Sequence, residues 1–192
     1  IQRPYENIDD YKNEYMRRFM HGEFSHIDSI KLPDSLKFET RLTKRTVYGG
    51  GGIMPDFFVP IDTSEITDLY RKTVQNGAFT SFPLTYVDKN RDELNKKYET
   101  VDQFIADFKV DKKLMDEFFA YVKKENKDFE FKEDQYKISK NIMELRLKAT
   151  IANDLFGIEA FYKIYNQKNE ILQKAIQLLE SNEYEKQKLA LN

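Results

Sequence analysis

The apolar residues of the stretch 134–156 recur at steps of four and three, a spacing that places them on one face of an α-helix. They are Ile138, Ile142, Leu145, Ala149, Ala152 and Phe156. Gly157 follows them, and glycine commonly ends a helix because it adopts a left-handed backbone conformation without strain. The spacing therefore predicts a long helix at about 134–156, whose apolar face has to be covered by other elements of the chain.

Helical periodicity extends through the rest of residues 63–192. Leu114, Phe118 and Val122 step by four, with Met115 and Phe119 beside them. The two segments after Gly157 repeat the pattern with the residues Ile158, Phe161, Tyr162 and Tyr165, and then Ile171, Leu172, Ala175, Ile176 and Leu179. Because the connections between these segments are short and polar, we expect helices that pack antiparallel to their neighbours.

Three helix starts can be predicted from polar residues. Asp62 with Glu65, and Thr100 with Gln103, have the spacing at which a polar side chain caps the first helical turn. Ser81 lies ahead of Phe82 and Pro83, and it predicts a third start because proline is tolerated in a first turn.

Residues 1–62 show a mixed pattern. Residues 7–20 predict a short charged helix that Gly22 ends, with the stripe Ile8, Tyr11, Tyr15 and Phe19. Alternation of apolar and charged residues then predicts a half-buried strand through Leu36, Phe38, Thr40 and Leu42, with 46–48 as its continuation. Four glycines follow at 49–52. The apolar run 57–60, flanked by prolines, predicts a strand that is buried on both faces.

Together these patterns predict an α+β chain that is mostly α. We expect two domains: 1–62, with a small β element and a helical segment, and a helical domain at 63–192. With 31 basic and 33 acidic residues the formal net charge is −2, which argues against nucleic-acid binding, since that normally needs a basic surface. The absence of cysteine excludes disulfides, thiolate nucleophiles and cysteine-ligated zinc. No apolar run is long enough to span a bilayer.

The glycine run could in principle hold a phosphate group. A phosphate-binding glycine loop is followed by a helix start, usually with lysine and serine or threonine. Here Pro55 and a predicted strand follow instead, so a structural turn is the better interpretation.

Gly51, Gly52, Ile53, Pro55, Asp56 and Val59 match a known pattern. The segment resembles the Gly-x-Gly-Ile-x-Pro-Asp-x-x-Val signature near the end of the protease domain in carboxy-terminal processing (tail-specific) serine proteases. Ile1 and Gln2 resemble the last residues of the strand that precedes this signature in many members. Residues 3–48 then intervene, and this insertion, the glycine run and the helical tail resemble the Bacteroides-type branch of the family.

The resemblance implies a serine endopeptidase that cleaves proteins near their C-termini in the periplasm or cell envelope. Its members use a serine nucleophile and a lysine base, which lie in sequence runs that do not occur here. The resemblance therefore places the dyad, and a PDZ domain, upstream of Ile1. We assign no catalytic, cofactor-binding or metal-ligating residue to this chain and expect it to be inactive alone; the six matching residues are structural. Asp56 is expected to shape the turn and cap backbone groups.

Three other sets of residues could be interpreted as catalytic or metal-binding sites. Ser139 and Lys140 are neighbours on a predicted helix, so their side chains should diverge, and Ser35 with Lys37 lies beside a predicted strand. The cluster His21, Glu23, His26 and Asp28 lacks the spacing of a helical metal site, and surface positions are the simpler interpretation.

Two expectations concern partners. A protease-domain remnant would expose strand edges, so we expect a homodimer formed by edge pairing or strand exchange, or an insertion that folds back over the edges. The alternative to a protease fragment is a stand-alone helical protein-interaction module.

Overall fold

The computed structural model describes residues 7–49 and 55–186. These residues form nine α-helices and two short strands. The helices are α1 (Ile8–Met20), α2 (Asp68–Gln75), α3 (Ala78–Lys97), α4 (Val101–Asp107), α5 (Lys112–Glu125), α6 (Glu133–Phe156), α7 (Ile158–Tyr165), α8 (Glu170–Glu180) and α9 (Glu183–Lys186). The strands β1 (Lys37–Glu39) and β2 (Thr46–Tyr48) form one antiparallel sheet. The fold is α+β and mostly α, as predicted.

The chain divides into two compact units. Unit 1 consists of the described residues of Ile1–Asp62 and of Glu170–Asn192, and unit 2 is Thr63–Asn169. Unit 2 contains α2 to α7, and unit 1 contains α1, the two strands, α8 and α9.

The core of unit 2 is built around α6, which packs against α2, α3, α4 and α7. An aromatic cluster fills the space between α3 and α5, where the ring of Phe118 lies 5.0 Å from that of Phe79 and 5.3 Å from that of Phe82, centroid to centroid. A second cluster at α4 stacks Phe104 on Phe108 at 4.4 Å. Offset and edge-on ring pairs of this kind add to the free energy of simple burial.

The predicted face of α6 is only partly right. Ile138 is 52% exposed, whereas Met143, Leu147 and Ile151 are fully buried together with Ser139. These four residues step by four, and Ala149 and Ala152 extend the buried surface sideways. Since α2, α3, α4 and α7 pack against α6, its burial is set by where those helices lie and not by its most apolar stripe alone.

The predicted start at Thr100 is confirmed, and the start at Asp62 is wrong. The Thr100 hydroxyl accepts the Gln103 N–H at 3.2 Å, and the Gln103 side chain accepts the Glu99 N–H at 3.0 Å. In contrast, α2 begins at Asp68, with Thr67 as its cap. The backbone before it is held by α6, because the Glu65 carbonyl accepts the hydroxyl of Ser139. Because of this contact between segments distant in sequence, the helix begins at Asp68 and not near Asp62.

The predicted start at Ser81 is also wrong, because α3 already begins at Ala78. Gly77 adopts a φ of +67° and precedes the first turn. Pro83 therefore lies inside the helix, where it cannot donate a hydrogen bond to the Phe79 carbonyl. The extra turn buries Phe79 and Phe82, and this burial offsets the missing hydrogen bond.

In unit 1 the predicted single strand is a hairpin. β2 is not a continuation of β1 but its antiparallel partner, with Phe38 opposite Val47. The chain reverses between them, where the Thr40 N–H donates to the Arg45 carbonyl at 2.9 Å and the Thr40 hydroxyl accepts the Arg45 N–H at 3.0 Å. Leu42 therefore lies in an exposed turn, and Phe38 is 56% exposed.

The predicted strand at 57–60 is wrong as well. Residues 57–59 are half-buried, Pro60 is exposed, and none of the four pairs with a strand. A strand buried on both faces needs strands on its edges and layers above and below it. The sheet of the described residues has only the two strands β1 and β2.

Helix α1 forms where predicted, and a φ of +77° at Gly22 follows its end. Its apolar stripe is not buried, since Ile8, Tyr15 and Phe19 are exposed, and the side chain of Tyr11 lies outside the described part. Tyr15 contacts the ring of Phe24 at 5.0 Å. The predicted aliphatic stripe of α8 is exposed too. Leu178 is the buried apolar residue of unit 1 in the described ranges.

Candidate functional site

The protease-like motif lies partly within the described structure. Gly51, Gly52 and Ile53 fall outside the described residues. Pro55 and Asp56 are exposed at the start of a bend, and Val59 is half-buried beyond it. The described half of the motif is thus an irregular segment of unit 1 that follows the hairpin in the sequence.

An ion pair joins this segment to the hairpin. The Arg45 guanidinium donates through Nη1 to Oδ1 of Asp56. Arg45 directly precedes β2, so the pair spans the part of the chain that contains the glycine run. The predicted role of Asp56 was to cap backbone groups in its own turn, whereas its carboxylate contacts a side chain eleven positions earlier.

This pair is suited to positioning and not to catalysis. A guanidinium stays protonated at any relevant pH and cannot act as a base. The Asp56 side chain is 50% exposed, so solvent screens the attraction, and exposed pairs contribute about 0–1 kcal/mol. The pair links the residue before β2 to the segment that starts at Pro55, and the sequence offered no spacing signal for it.

The four polar residues near the end of α1 do not converge on one point. Glu23 forms an ion pair with Arg18, at 2.6 Å between Oε2 and Nε. His21, His26 and Asp28 are exposed. Within residues 7–49 and 55–186, no three histidine or acidic side chains come together in a group that could hold a metal ion.

Ser139 and Lys140 are held in different environments. The Ser139 hydroxyl is fully buried, donates to the Glu65 carbonyl at 2.6 Å and lies 2.7 Å from the Thr67 hydroxyl. Lys140 extends towards solvent, with Nζ 3.8 Å from Oε1 of Glu144. A nucleophile needs an adjacent base, and Ser139 instead contacts a carbonyl and a hydroxyl, so it ties α6 to the start of α2. Ser35 and Lys37 are both exposed at the start of the hairpin.

Helix α6 carries a polar cluster that was not recognised in the sequence and that consists of Tyr136, Lys140 and Glu144. Burial, and then the negative charge of Glu144, raise the pKa of Tyr136 to about 12. Burial also raises the pKa of Glu144, although Lys140 and the hydrogen bond from Tyr136 oppose the shift. The three residues step by four along the helix, and this spacing is the signal that could have revealed them. With its pKa raised, Tyr136 stays protonated and serves as a donor to Glu144.

Lys148, also on α6, has a lowered pKa. Burial, and then the charge of Lys109, lower its pKa. Its Nζ donates to the Ile105 carbonyl at 2.7 Å. This carbonyl lies in α4, so the lysine links two helices of unit 2. A lysine base would need a hydroxyl to deprotonate, and the acceptor found here is a backbone oxygen.

No helix in the part of the chain that the structure describes is both long and apolar enough to cross a membrane.

Comparison with known proteins gives one match. The model of a family of unknown function, DUF8443, matches residues 69–157. This range lies inside unit 2 and runs from the first turn of α2 to Gly157. No curated protein and no solved structure matches the chain.

Proposed function

We propose that the chain is the C-terminal region of a carboxy-terminal processing serine endopeptidase of the cell envelope. In this proposal the serine and lysine of the dyad are encoded upstream of Ile1, with a PDZ domain that grips the C-termini of protein substrates. The chain itself carries no catalytic residue and acts in structure or assembly. In it, residues 1–62 complete the protease domain, and residues 63–192 form a helical domain that follows it.

The sequence support is the ordered motif in unit 1. Two glycines, an isoleucine, Pro55-Asp56 and Val59 occur in the order of the family signature, and an apolar run surrounds the valine. This run forms no strand in the described structure. The proposal requires that 57–60 become extended only when strands encoded upstream lie beside it, because a buried strand without neighbours leaves its backbone groups unpaired.

The observation that carries the proposal is the exposure of apolar side chains in unit 1. Of the large hydrophobic side chains that are exposed in the described chain, all but five belong to unit 1. They are Ile8, Tyr15, Met16, Phe19, Met20, Ile27, Phe38, Leu42, Val47, Ile61, Ile171, Leu172, Ile176 and Leu179. A self-sufficient domain buries most such residues, so unit 1 has the surface of a part that is covered by something else.

The upstream reading frame tests the proposal directly. We expect it to encode a PDZ domain followed by a Gly-Ser-Ala-Ser-Ala-Ser-Glu-like run and a Phe-Gly-Lys-Gly-like run. The protein made from the full reading frame should cleave an unstructured protein such as casein. Replacing the serine nucleophile by alanine should abolish this cleavage, and residues 1–192 alone should show none. A reading frame without both runs, or a full-length protein without cleavage, would refute the proposal.

The alternative of a stand-alone helical interaction module has one observation in its favour. Unit 2 has a complete core of its own, and the family match at 69–157 lies within it. Under this alternative, unit 2 functions without any protease domain. The same reading frame distinguishes the two, since the alternative expects no serine and lysine runs upstream.

A further inference from the structure

The outer edge of β1 has no strand beside it in the described structure, where the sheet consists of β1 and β2 alone. An isolated two-stranded hairpin is marginal in water, and an open edge offers unpaired N–H and C=O groups to another chain. Lys37, Phe38 and Glu39 are all exposed. This edge is therefore the first place to look for a partner.

The alternation of hydrogen-bonded and non-hydrogen-bonded residue pairs along the hairpin shows which backbone groups lie on the outer edge of β1. Thr40 donates its N–H to the Arg45 carbonyl at 2.9 Å, and Gly49 donates its N–H to the Leu36 carbonyl at 2.7 Å. In an antiparallel pair the hydrogen-bonded positions alternate, so Phe38 also bonds inwards, to Val47. Lys37 and Glu39 therefore direct their backbone groups outwards. Because the Lys37 N–H already donates to the Asp34 carbonyl of the preceding turn, the edge presents the Lys37 carbonyl and the N–H and C=O of Glu39.

We propose that this edge pairs with β1 of a second copy of the chain, antiparallel and centred on Phe38. In that register Lys37 lies opposite Glu39 of the other copy, and Glu39 lies opposite its Lys37. Both pairs fall at hydrogen-bonded positions, so the Glu39 N–H of each copy donates to the Lys37 carbonyl of the other. Both pairs also join opposite charges, which stabilises directly opposed residues in a sheet.

The side chains on the other face agree with this register. Phe38 and Val47 are directly opposite on one face of the hairpin, and they are 56% and 37% exposed. The two-fold pairing places Phe38 against its own copy, at a position where opposed side chains lie closest. The result is a four-stranded sheet with a row of four apolar side chains on one face. A small sheet needs three or more strands and an apolar face to be stable, and the dimer meets both requirements.

Charge selects this register over its neighbours. A pairing centred on Lys37 opposes two lysines, one centred on Glu39 opposes two glutamates, and a parallel in-register pairing aligns like charges. Like charges directly opposite destabilise a sheet. Pairing through β2 instead would oppose Thr46 and Tyr48, which offer no complementary charge. The three-residue strand makes the contact small, so the dimer is weak and depends on concentration.

A charge-swap series measured by sedimentation equilibrium of the 192-residue chain tests the proposal. We expect a monomer–dimer equilibrium for the wild type. Lys37→Glu or Glu39→Lys alone opposes like charges twice and should weaken dimerisation by about tenfold or more. The double variant restores opposite charges and should dimerise close to the wild-type level. Lys31→Glu, which reverses the charge of an exposed residue outside the hairpin, is the matched control and should leave dimerisation unchanged.

A second readout does not depend on any variant. In amide hydrogen exchange, protection of the Glu39 N–H should rise with protein concentration. Phe38, which bonds inwards, and Lys37, which donates to the Asp34 carbonyl, should be protected throughout. A chain that stays monomeric at all concentrations would overturn the proposal. It would equally be overturned by a double variant no better than the single ones, by dissociation with Lys31→Glu, or by exchange at the Glu39 N–H that does not change with concentration.

Discussion

Unit 1 and unit 2 both contain amphipathic helices, yet unit 2 buries their apolar side chains and unit 1 leaves most of them exposed. In unit 2, α5 buries four apolar side chains in the core that it shares with the other helices: Leu114, Met115, Phe118 and Val122. In unit 1, the comparable stripes of α1 and α8 remain exposed, and Leu178 is the buried apolar residue of its described part. Every other buried apolar residue of the described chain lies in unit 2.

The difference teaches that an amphipathic stripe predicts a helix and not its burial. A stripe forms a core only when other elements converge on it, as α2, α3, α4 and α7 do on α6. Because hydrophobic burial is the largest stabilising contribution to folding, unit 2 should be the stable part of the chain and unit 1 the dependent part. Four measurements can test this difference in stability between the two units.

Separating the units should give the largest effect. We expect residues 63–169 alone to remain helical and to unfold in one cooperative transition, because their core is complete. Residues 1–62 mixed with a peptide of residues 170–192, which together make up unit 1, should show no cooperative transition. Circular dichroism during urea denaturation measures both. A non-cooperative unit 2 peptide would mean that its core depends on unit 1.

Truncating matched phenylalanines compares the two units within the whole chain. Phe118→Ala removes a fully buried ring in contact with Phe79 and Phe82, and should lower the free energy of unfolding by about 3–5 kcal/mol. Phe38→Ala removes an exposed ring in unit 1 and should change it by less than about 1 kcal/mol at concentrations where the chain is monomeric. Denaturant titrations of both variants give the values, and similar losses would contradict the contrast.

Ser139→Ala tests the polar tie inside unit 2. It removes the fully buried hydroxyl that contacts the Glu65 carbonyl and the Thr67 hydroxyl, so we expect a loss of about 1–3 kcal/mol. Ser181→Ala in unit 1 is the control, because Ser181 is exposed and its bond to the Leu178 carbonyl is long, at 3.4 Å. Thermal unfolding should separate the two variants clearly. Equal melting temperatures would show that the Ser139 contacts contribute no stability.

The smallest expected effect is a dependence on alkaline pH. The pKa of Tyr136 is raised from 10.0 to about 12 in the folded chain, so the unfolded chain loses this proton first. Stability is therefore full below pH 10 and declines between pH 10 and 12. Tyr136→Phe should remove part of that decline, and Glu144→Gln should remove less, because burial is the main cause of the shift. Melting temperatures across this range provide the check; a decline unchanged in Tyr136→Phe would refute the assignment.

Local patterns predicted the helices well where capping chemistry and periodicity agreed. The Thr100 start, the stripe of α5 and the end of α6 at Gly157 are all confirmed, because each depends on residues within one or two turns. The start of α2 was missed since it depends on Ser139, more than seventy positions away. The Arg45–Asp56 pair was missed for the same reason, as no local pattern links the two residues.

The sequence by itself determined that the chain is helical, that its β content is small and that Gly22 and Gly157 follow helix ends, because these features depend on neighbouring residues. Only the tertiary structure decided which apolar stripes are buried, that 36–48 forms a hairpin and that 57–60 stays unpaired. Burial and strand pairing are properties of the partners that a segment meets, and such partners come from distant parts of a chain or from other chains.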